Sequence, residues 1–216
     1  MRSAVDLVAD PRIRLGMGAA ATVITALSAR QSAVGRREAR AFLAVNSLPD
    51  RLYRPVWAIM QLGTLGAAPA AAGVALLARD RQLAGRLLAA GACTWALAKP
   101  IKKLVRRPRP ATLVSGTRLR GREASGLGYL SGHAGVAAAL GVAAASSLRP
   151  AGRAAIAAAV PIVGLSRMYV GAHLPLDIAG GAALGIAVEA AIVLTVDLGG
   201  PGTRAGAPLA GAPRGR

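Results

Sequence analysis

The sequence is poor in the residues that build disulfide frameworks, metal clusters and base-stacking surfaces. Among its 216 residues there are one cysteine, Cys93, and two histidines, His133 and His173. A single thiol excludes an intramolecular disulfide and any multi-thiolate metal site. Aromatic residues make up only 3% of the chain, whereas nucleic-acid-binding proteins combine basic patches with stacking aromatics and a mostly polar exterior. Nucleic acid is therefore not an expected partner.

Acidic residues are also scarce, and the positive charge that they leave unbalanced coexists with a high apolar content. The chain has 27 Lys+Arg against 9 Asp+Glu, a formal net charge of +18 and 54% apolar residues. The apolar content excludes a disordered chain. The combination is typical of a protein whose apolar stretches lie in lipid and whose arginines lie at the membrane boundaries and in water-facing loops.

Apolar stretches bounded by charge predict an all-α fold, a polytopic membrane helical bundle of about six transmembrane helices, since each crossing needs about 20 mainly apolar residues. The predicted spans are 15–29, 56–78, 83–98, 134–148, 151–165 and 176–196. The first is weak because it is short and rich in Ala and Gly. Their small residues favour close helix packing. Glu189 lies inside the sixth span, where we expect a structural role within the bundle.

These spans divide the chain into a core and two flanking segments. Residues 1–55 hold the weak span and a basic connector, in which 31–54 is either solvated or a short surface helix. Residues 56–197 form the core helical bundle, and 198–216, rich in Gly, Pro, Ala and Arg, are predicted to be a disordered tail. The interior polar segment 99–130 is rich in Lys and Arg. A loop of that length is usually functional or disordered, although a charge run that sets the topology is an alternative.

Three short segments bring both histidines to one predicted face of the membrane. Antiparallel spans place the end of the third span, the start of the fourth and the connection between the fifth and sixth on the same side. Guanidinium and ammonium groups bind phosphate oxygens, and the start of a helix favours an anion. The candidate phosphate-binding residues are Lys102, Arg109, Ser131, Gly132 and Arg167.

The two histidines and one carboxylate are the candidates for catalysis. Asp177 near one nitrogen of His173 would fix its tautomer and leave the other nitrogen as a nucleophile. His133 remains for proton transfer. Each residue also has a structural interpretation, because histidines cap helices, Arg-Pro pairs mark boundaries and an aspartate suits the first turn of a helix. Their joint placement favours a site for phosphoryl transfer.

These motifs resemble those of the type 2 phosphatidic acid phosphatase family, the membrane lipid phosphatases related to vanadium haloperoxidases. The family pattern is Lys-x6-Arg-Pro, Pro-Ser-Gly-His and Ser-Arg-x5-His-x3-Asp. The chain matches it over 56–196 with Lys102 to Arg109-Pro110, Ser131-Gly132-His133, and Ser166-Arg167 to His173 and Asp177. Leu130 stands where the family usually has proline. The pair Arg107-Pro108 does not fit, since Pro100 stands where its lysine would be.

The resemblance implies an integral membrane lipid phosphatase that hydrolyses a phosphomonoester or pyrophosphate of a polyprenyl lipid or glycerolipid. His173 would form a phosphohistidine, His133 would protonate the leaving group and Asp177 would support His173, with no metal and no cofactor. The partners implied are a phosphorylated lipid and the bilayer. Two alternatives stay open, a vanadate-dependent peroxidase on the same fold and a non-catalytic protein that binds anionic lipids or acts as a scaffold.

The two indications of sidedness disagree. On the six-span topology, more of the 27 Lys+Arg fall on the catalytic face than on the opposite face, which by the positive-inside rule would place the site in the cytoplasm. Members of the resembled family more often work on the outer face. We predict a multi-pass protein of the cell membrane with its active site at the extracytoplasmic face.

Overall fold

The computed structural model describes residues 10–31, 33–122 and 125–199. Within these ranges the chain forms helices and loops with no β-strand, which confirms the predicted all-α fold. Two short 3-10 turns span Asp50–Leu52 and Gln61–Gly63. In chain order the α-helices are α1 (Pro11–Ala29), α2 (Arg36–Asn46), α3 (Tyr53–Met60), α4 (Ala67–Leu77), α5 (Arg81–Val105), α6 (Pro110–Leu113), α7 (Gly132–Ala145), α8 (Pro150–Tyr169) and α9 (Pro175–Gly199).

Prolines and capping side chains determine where the helices begin. Helices α1, α6, α8 and α9 begin at proline, whose fixed φ suits the first helical position. The carboxylate of Asp10 accepts a hydrogen bond from the Arg12 N–H at 2.9 Å, and that of Asp80 accepts one from the Leu83 N–H at 2.8 Å. Both bonds satisfy first-turn donors that the helix itself leaves unpaired.

Two of the helices are long and apolar enough to cross a membrane. They are α8, and α9 over Pro175–Val196. The bent pair Asp50–Gly63 and Ala67–Leu77 makes a third if both halves form one span. Helices α1 and α5 carry charged residues, and α7 is apolar but shorter. The bundle is thus that of a helical membrane protein, and six crossings stay a prediction.

The predicted second span, 56–78, is not one helix. It is divided into α3, a 3-10 turn and α4, with a bend of 71° between the halves. At the break Thr64 is extended, with φ −75° and ψ 160°. Gly63 lies against the start of α7, where a Cβ on it would be 2.5 Å from the carbonyl oxygen of His133. The break therefore lets the chain pass closely over the predicted catalytic end of α7.

The segments that flank the core are held to it where the structure describes them. Helix α2 forms part of 31–54, and Phe42 on it is fully buried in a cluster with Met168 and Leu174. The tail predicted for 198–216 lies outside the described residues, except for its first two positions, which extend α9.

Glu189 joins three helices, as expected for a structural carboxylate within the bundle. Its side chain pairs with Arg14 of α1 at 3.0 Å and with Arg86 of α5 at 2.7 Å. Glu189 itself is 1% exposed. Because a buried charge is costly unless it is paired, both arginines are needed to hold this carboxylate inside the bundle.

Glycines let α7 and α9 approach until their backbones touch. A Cβ at Gly181 would overlap the carbonyl oxygen of Ser131, and a Cβ at Gly185 would overlap that of Gly135. The four-residue spacing puts both glycines on one face of α9. In lipid, helices associate through such close contacts between small residues, because no hydrophobic driving force acts between them. This contact fixes the start of α7 beside the start of α9.

We expect Gly181→Ala to lower the thermal unfolding temperature of the detergent-purified protein, because the added methyl group pushes α7 away from α9. Overpacking of this kind costs about 1–3 kcal/mol. The matched control is Gly16→Ala in α1, where a Cβ would meet nothing within 4 Å; its unfolding temperature should stay the same or rise. Equal unfolding temperatures for the two variants would contradict the role assigned to the glycine contact.

Candidate active site

The structure brings all eight residues that the sequence singled out to one end of the bundle. Lys102 ends α5, Arg109 precedes α6 and Arg167 lies in the last turn of α8. The remaining five are the three residues that begin α7, the loop residue His173 and Asp177 in the first turn of α9. Beside them lies a cavity of about 540 Å³ whose lining includes Arg109 and Arg167.

His173 is buried between a carboxylate and an arginine. Its Nε2 lies 3.2 Å from a terminal nitrogen of Arg109, and its Nδ1 lies 3.6 Å from Oδ2 of Asp177. A guanidinium only donates, so Nε2 is the acceptor and the ring proton is assigned to Nδ1, facing Asp177. The distance to Asp177 is longer than a hydrogen bond. The lone pair of His173 therefore points toward the cations.

The loop that carries His173 is fixed by the end of α8. The N–H groups of Ala172 and His173 both donate to the carbonyl oxygen of Arg167, at 2.9 and 3.2 Å. Gly171 takes a φ of 78° in this turn, a left-handed conformation that favours glycine. Arg167 thus contributes twice: its carbonyl oxygen fixes the backbone at His173, and its guanidinium lines the cavity.

Burial lowers the pKa of His173 to about 3, because the charged imidazolium is poorly solvated there. Asp177 opposes this effect, while the charges of Lys102 and Arg109 add to it. The imidazole is therefore neutral at physiological pH, which is the form that a nucleophile requires.

Three cations at this end of the bundle have no carboxylate partner among the described residues. Lys102 donates to backbone carbonyl groups, the shortest bond being 2.6 Å to that of Leu130. Arg109 also donates to backbone carbonyl groups, with a bond of 2.8 Å to the carbonyl oxygen of Ala172. The guanidinium of Arg167 contacts the sulfur of Met60, and within the described ranges its Nε has no hydrogen-bond partner. Of these three cations, Lys102 and Arg109 are half-buried and Arg167 is buried. Arg109 and Arg167 line the cavity, and cations that lack a carboxylate partner suit an anion there.

The start of α7 adds backbone donors to these cations. Ser131 caps the helix, its Oγ accepting from the Ala134 N–H at 3.3 Å, and its own N–H donates to the carbonyl oxygen of Asp177 at 2.8 Å. The next N–H groups, of Gly132 and His133, have no partner within a helix and favour an anion. The His133 side chain is half-buried and lies within electrostatic reach of all three cations.

Part of the cavity lining is apolar. It is contributed by Tyr53, Trp57 and Met60 from α3, together with Leu119 and Leu127 from the long loop. Trp57 is 49% exposed on the outer surface of the bundle. The cavity therefore combines cationic and apolar lining residues, which suits an amphiphile that carries an anionic headgroup.

Two residues at this site were not predicted as functional from the sequence. Arg107 was set aside because its Arg-Pro pair lies in the wrong register, yet it is 4% exposed and bonds to Oδ1 of Asp177 at 2.9 Å. Glu38, on α2, binds the same guanidinium. Spacing within the motif could not reveal this contact, because Glu38 is 69 residues away from Arg107 in the chain.

The fold and the cluster define a helical membrane protein that gathers two histidines and three cations at one end of its bundle. Comparison with family models then identifies its family: the model of the PAP2 superfamily matches residues 82–199. The chain belongs to this superfamily, which confirms the resemblance drawn from its motifs.

Two solved structures share the fold. LpxE of Aquifex aeolicus aligns with a TM-score of 0.66 at 21% identity, covering 74% of this chain and 96% of that one. A PAP2-type phosphatidylglycerolphosphate phosphatase of Bacillus subtilis aligns with a TM-score of 0.68 at 20% identity, covering 86% and 98%. A search of curated proteins finds no significant match.

We expect His173 to remain neutral, with its proton on Nδ1, between about pH 5 and pH 8, because burial holds its pKa well below 6.5. Nitrogen NMR of the imidazole rings in detergent tests this directly, since the chain has only two histidines. Spectra of His133→Gln protein assign the signals. A His173 resonance that titrates near its ordinary pKa, or a proton found on Nε2, would contradict the assigned tautomer.

Proposed function

We propose that the protein is an integral membrane phosphatase that hydrolyses a phosphomonoester or pyrophosphate of a lipid through a phosphohistidine intermediate. The observation that carries this proposal is a neutral, buried His173 whose lone pair faces cations without a carboxylate partner. Membership of the PAP2 superfamily supports it. So does the fold shared with the Bacillus subtilis protein, which is a phosphatidylglycerolphosphate phosphatase.

In the first step the phosphate group of the lipid enters between the cations and the start of α7. Its oxygens take up donors of Arg109, which frees Nε2 of His173 from its present contact. Nε2 then attacks phosphorus, so that a P–N bond forms while the bond from phosphorus to the lipid oxygen breaks. Before the phosphate enters, burial and the three cations lower the pKa of His133 to about 3, so its ring is neutral. The entering phosphate offsets the cationic charge and, as a hydrogen phosphate ester, passes its proton to His133, which gives it to the leaving oxygen. The cations stabilise the charge on the phosphoryl oxygens during the transfer.

Asp177 supports this step from the other side of the ring. As Nε2 bonds to phosphorus the imidazole becomes cationic, and its Nδ1–H faces the carboxylate of Asp177. Contraction of the present 3.6 Å separation to a hydrogen bond would stabilise that charge. Asp177 thus acts on the transition state without taking up the proton itself.

In the second step water hydrolyses the phosphohistidine. His133, which lost its proton to the leaving group, takes one from the attacking water. The new P–O bond forms, the P–N bond breaks, and the electron pair returns to Nε2. Inorganic phosphate takes this proton from His133 as it leaves, and the enzyme regains its starting protonation state. These steps use only side chains of the chain itself, so we expect turnover to continue in the presence of a chelator.

The apolar part of the cavity lining supports a lipid as the substrate. Trp57 and Met60 line the same cavity as Arg109 and Arg167, so an acyl or prenyl chain can remain in the membrane while its headgroup meets the cations beside His173. Polyprenyl phosphates or diphosphates and glycerolipid phosphates such as phosphatidic acid are the substrates we propose. A panel of these lipids, assayed for phosphate release, distinguishes among them.

We expect His173→Ala to abolish turnover and covalent labelling, and His133→Ala to give a burst. With p-nitrophenyl phosphate the leaving group needs little protonation, so His133→Ala should release about one p-nitrophenol per active site and then stall, because water is no longer activated. The measurement is rapid-mixing absorbance, with acid-labile radioactive phosphate on the protein as the second readout.

Two outcomes would overturn the assignment. Full activity in either histidine variant would remove that residue from the chemistry. Lipid binding without turnover on any phosphorylated lipid, unaffected by loss of either histidine, would favour the non-catalytic alternative. Halide oxidation that depends on added vanadate would favour the peroxidase.

We further propose that this active site faces the extracytoplasmic side of the cell membrane. In a Cys93→Ser background, Ser115→Cys, on the catalytic side, should react with an impermeant maleimide in intact cells. Ser147→Cys, in the loop between α7 and α8 at the opposite end, should react only after lysis. Both serines are exposed, so the two variants form a matched pair. The reverse labelling pattern would place the site in the cytoplasm.

A further inference from the structure

The geometry points to Arg107 as a positioning residue that holds the Asp177 carboxylate toward His173, with Glu38 of α2 holding Arg107 in turn. This inference rests on the proposed function of the site. It gives a role to Arg107, which stands at an unspecified position of the Lys-x6-Arg-Pro motif, and to helix α2, which lies outside the segment that the superfamily model matches.

The Arg107 guanidinium bridges two carboxylates. One terminal nitrogen donates to Oδ1 of Asp177 at 2.9 Å and to Oε1 of Glu38 at 3.0 Å. The other donates to Oε2 of Glu38 at 2.7 Å. Two parallel bonds to Glu38 fix the plane of the guanidinium, a geometry that lysine does not reproduce. Glu38 on α2 therefore fixes the orientation in which the Arg107 guanidinium faces Asp177.

Both oxygens of Asp177 are committed by this arrangement. Oδ2 accepts from the Leu174 N–H at 2.9 Å and is also the oxygen that faces His173. Oδ1 is held by Arg107. Because Asp177 is 0% exposed, loss of the bond to Oδ1 would leave a buried carboxylate oxygen without that donor. The carboxylate would then rotate or take up a proton, and either change weakens its support of His173.

Arg107 remains a fixed positive charge in this setting. Burial alone would lower its pKa, but hydrogen bonding to Glu38 and the charge of Asp177 outweigh burial and raise it. Glu38 also accepts from the Leu176 N–H at 3.1 Å, at the start of α9. The same carboxylate thus positions both Arg107 and the helix turn that carries Asp177.

Arg107 does not belong to the group of cations that face the cavity. Its neighbours Pro108 and Arg109 line the cavity, whereas Arg107 does not. Its donors are taken up by Glu38 and Asp177. A residue that acts only through Asp177 should affect the rate of the chemical step and leave phosphate binding unchanged.

The test compares Arg107→Met with the wild type on p-nitrophenyl phosphate, in the full-length protein in detergent. We expect kcat to fall by about 10–100-fold, the usual effect of removing a group that orients an essential ligand. The inhibition constant of inorganic phosphate should change by less than about threefold, since no donor to phosphate is lost. The His173 nitrogen signals should also move from the single tautomer toward a mixture.

The matched control is Arg86→Met, which breaks another buried arginine–glutamate pair, 2.7 Å long, away from the site. It should lower the unfolding temperature as Arg107→Met does, but leave kcat and the His173 signals unchanged. Arg107→Lys, which keeps the charge without the fork, should recover part of kcat. If Arg107→Met does not fold, two milder variants replace it: Arg107→Lys, and Glu38→Gln, which weakens the contact between Glu38 and Arg107. Each should lower kcat and leave the inhibition constant of inorganic phosphate unchanged.

Wild-type kcat in the folded Arg107 variants would overturn the inference, and so would weakened phosphate inhibition, which would make Arg107 a direct ligand of phosphate. His173→Ala separates this failure from failure of the proposed function. If His173→Ala is inactive while the Arg107 variants are fully active, only the inference about Arg107 is wrong. If His173→Ala is active, the proposed chemistry itself is wrong.

Discussion

The close contact between the starts of α7 and α9 is the constraint on which the site depends. The Ser131 N–H donates to the Asp177 carbonyl oxygen at 2.8 Å, and glycines on α9 leave room for the α7 backbone. Two helix N-termini, each with a positive dipole end, therefore converge beside His173. Helix α7 offers unpaired N–H groups, whereas in α9 the Leu176 N–H donates to Glu38 and the Asp177 N–H donates to the Leu174 carbonyl oxygen. The helices that end here, α5 and α8, contribute Lys102 and Arg167, where the negative dipole end favours a cation. The chain direction of four helices thus supplies both kinds of anion-binding group at one place.

The site is preorganised because its cations are held by backbone and not by acids. Carbonyl oxygens accept from Lys102 and Arg109, which orients both donors while leaving their charge uncompensated. A phosphate that enters supplies the missing negative charge without displacing a carboxylate. Electrostatic catalysis is effective when such groups are already aimed before the reaction begins. The cost is a cluster of like charges in a buried place, and the packing of α7 on α9 must overcome that repulsion.

Apolar runs and motif spacing predicted much of this from the sequence, for physical reasons. Lipid requires long apolar helices, so four of the six predicted spans lie within single helices, and a fifth, 134–148, runs three residues past the end of α7. The motifs lie at helix ends, so antiparallel topology alone brought their residues together. The break in 56–78 could not be predicted, because the two halves together are apolar enough for one span and the contact of Gly63 with α7 beside the break is between residues far apart in the chain. The Arg107–Glu38 pair could not be predicted either, since its partners are 69 residues apart.

Arginines that pair with a carboxylate have a structural role, whereas arginines without such a partner are available to a ligand. At the far end Arg14 and Arg86 share the carboxylate of Glu189, and near the site Arg107 is paired with Glu38 and Asp177. Removing a partner from such pairs leaves a buried charge, so their first role is to hold helices and side chains in place. Among the described residues, Arg109 and Arg167 have no such partner. An acidic partner there would compete with the phosphate of the proposed substrate. With 9 Asp+Glu against 27 Lys+Arg, few acids are available to pair with these two arginines.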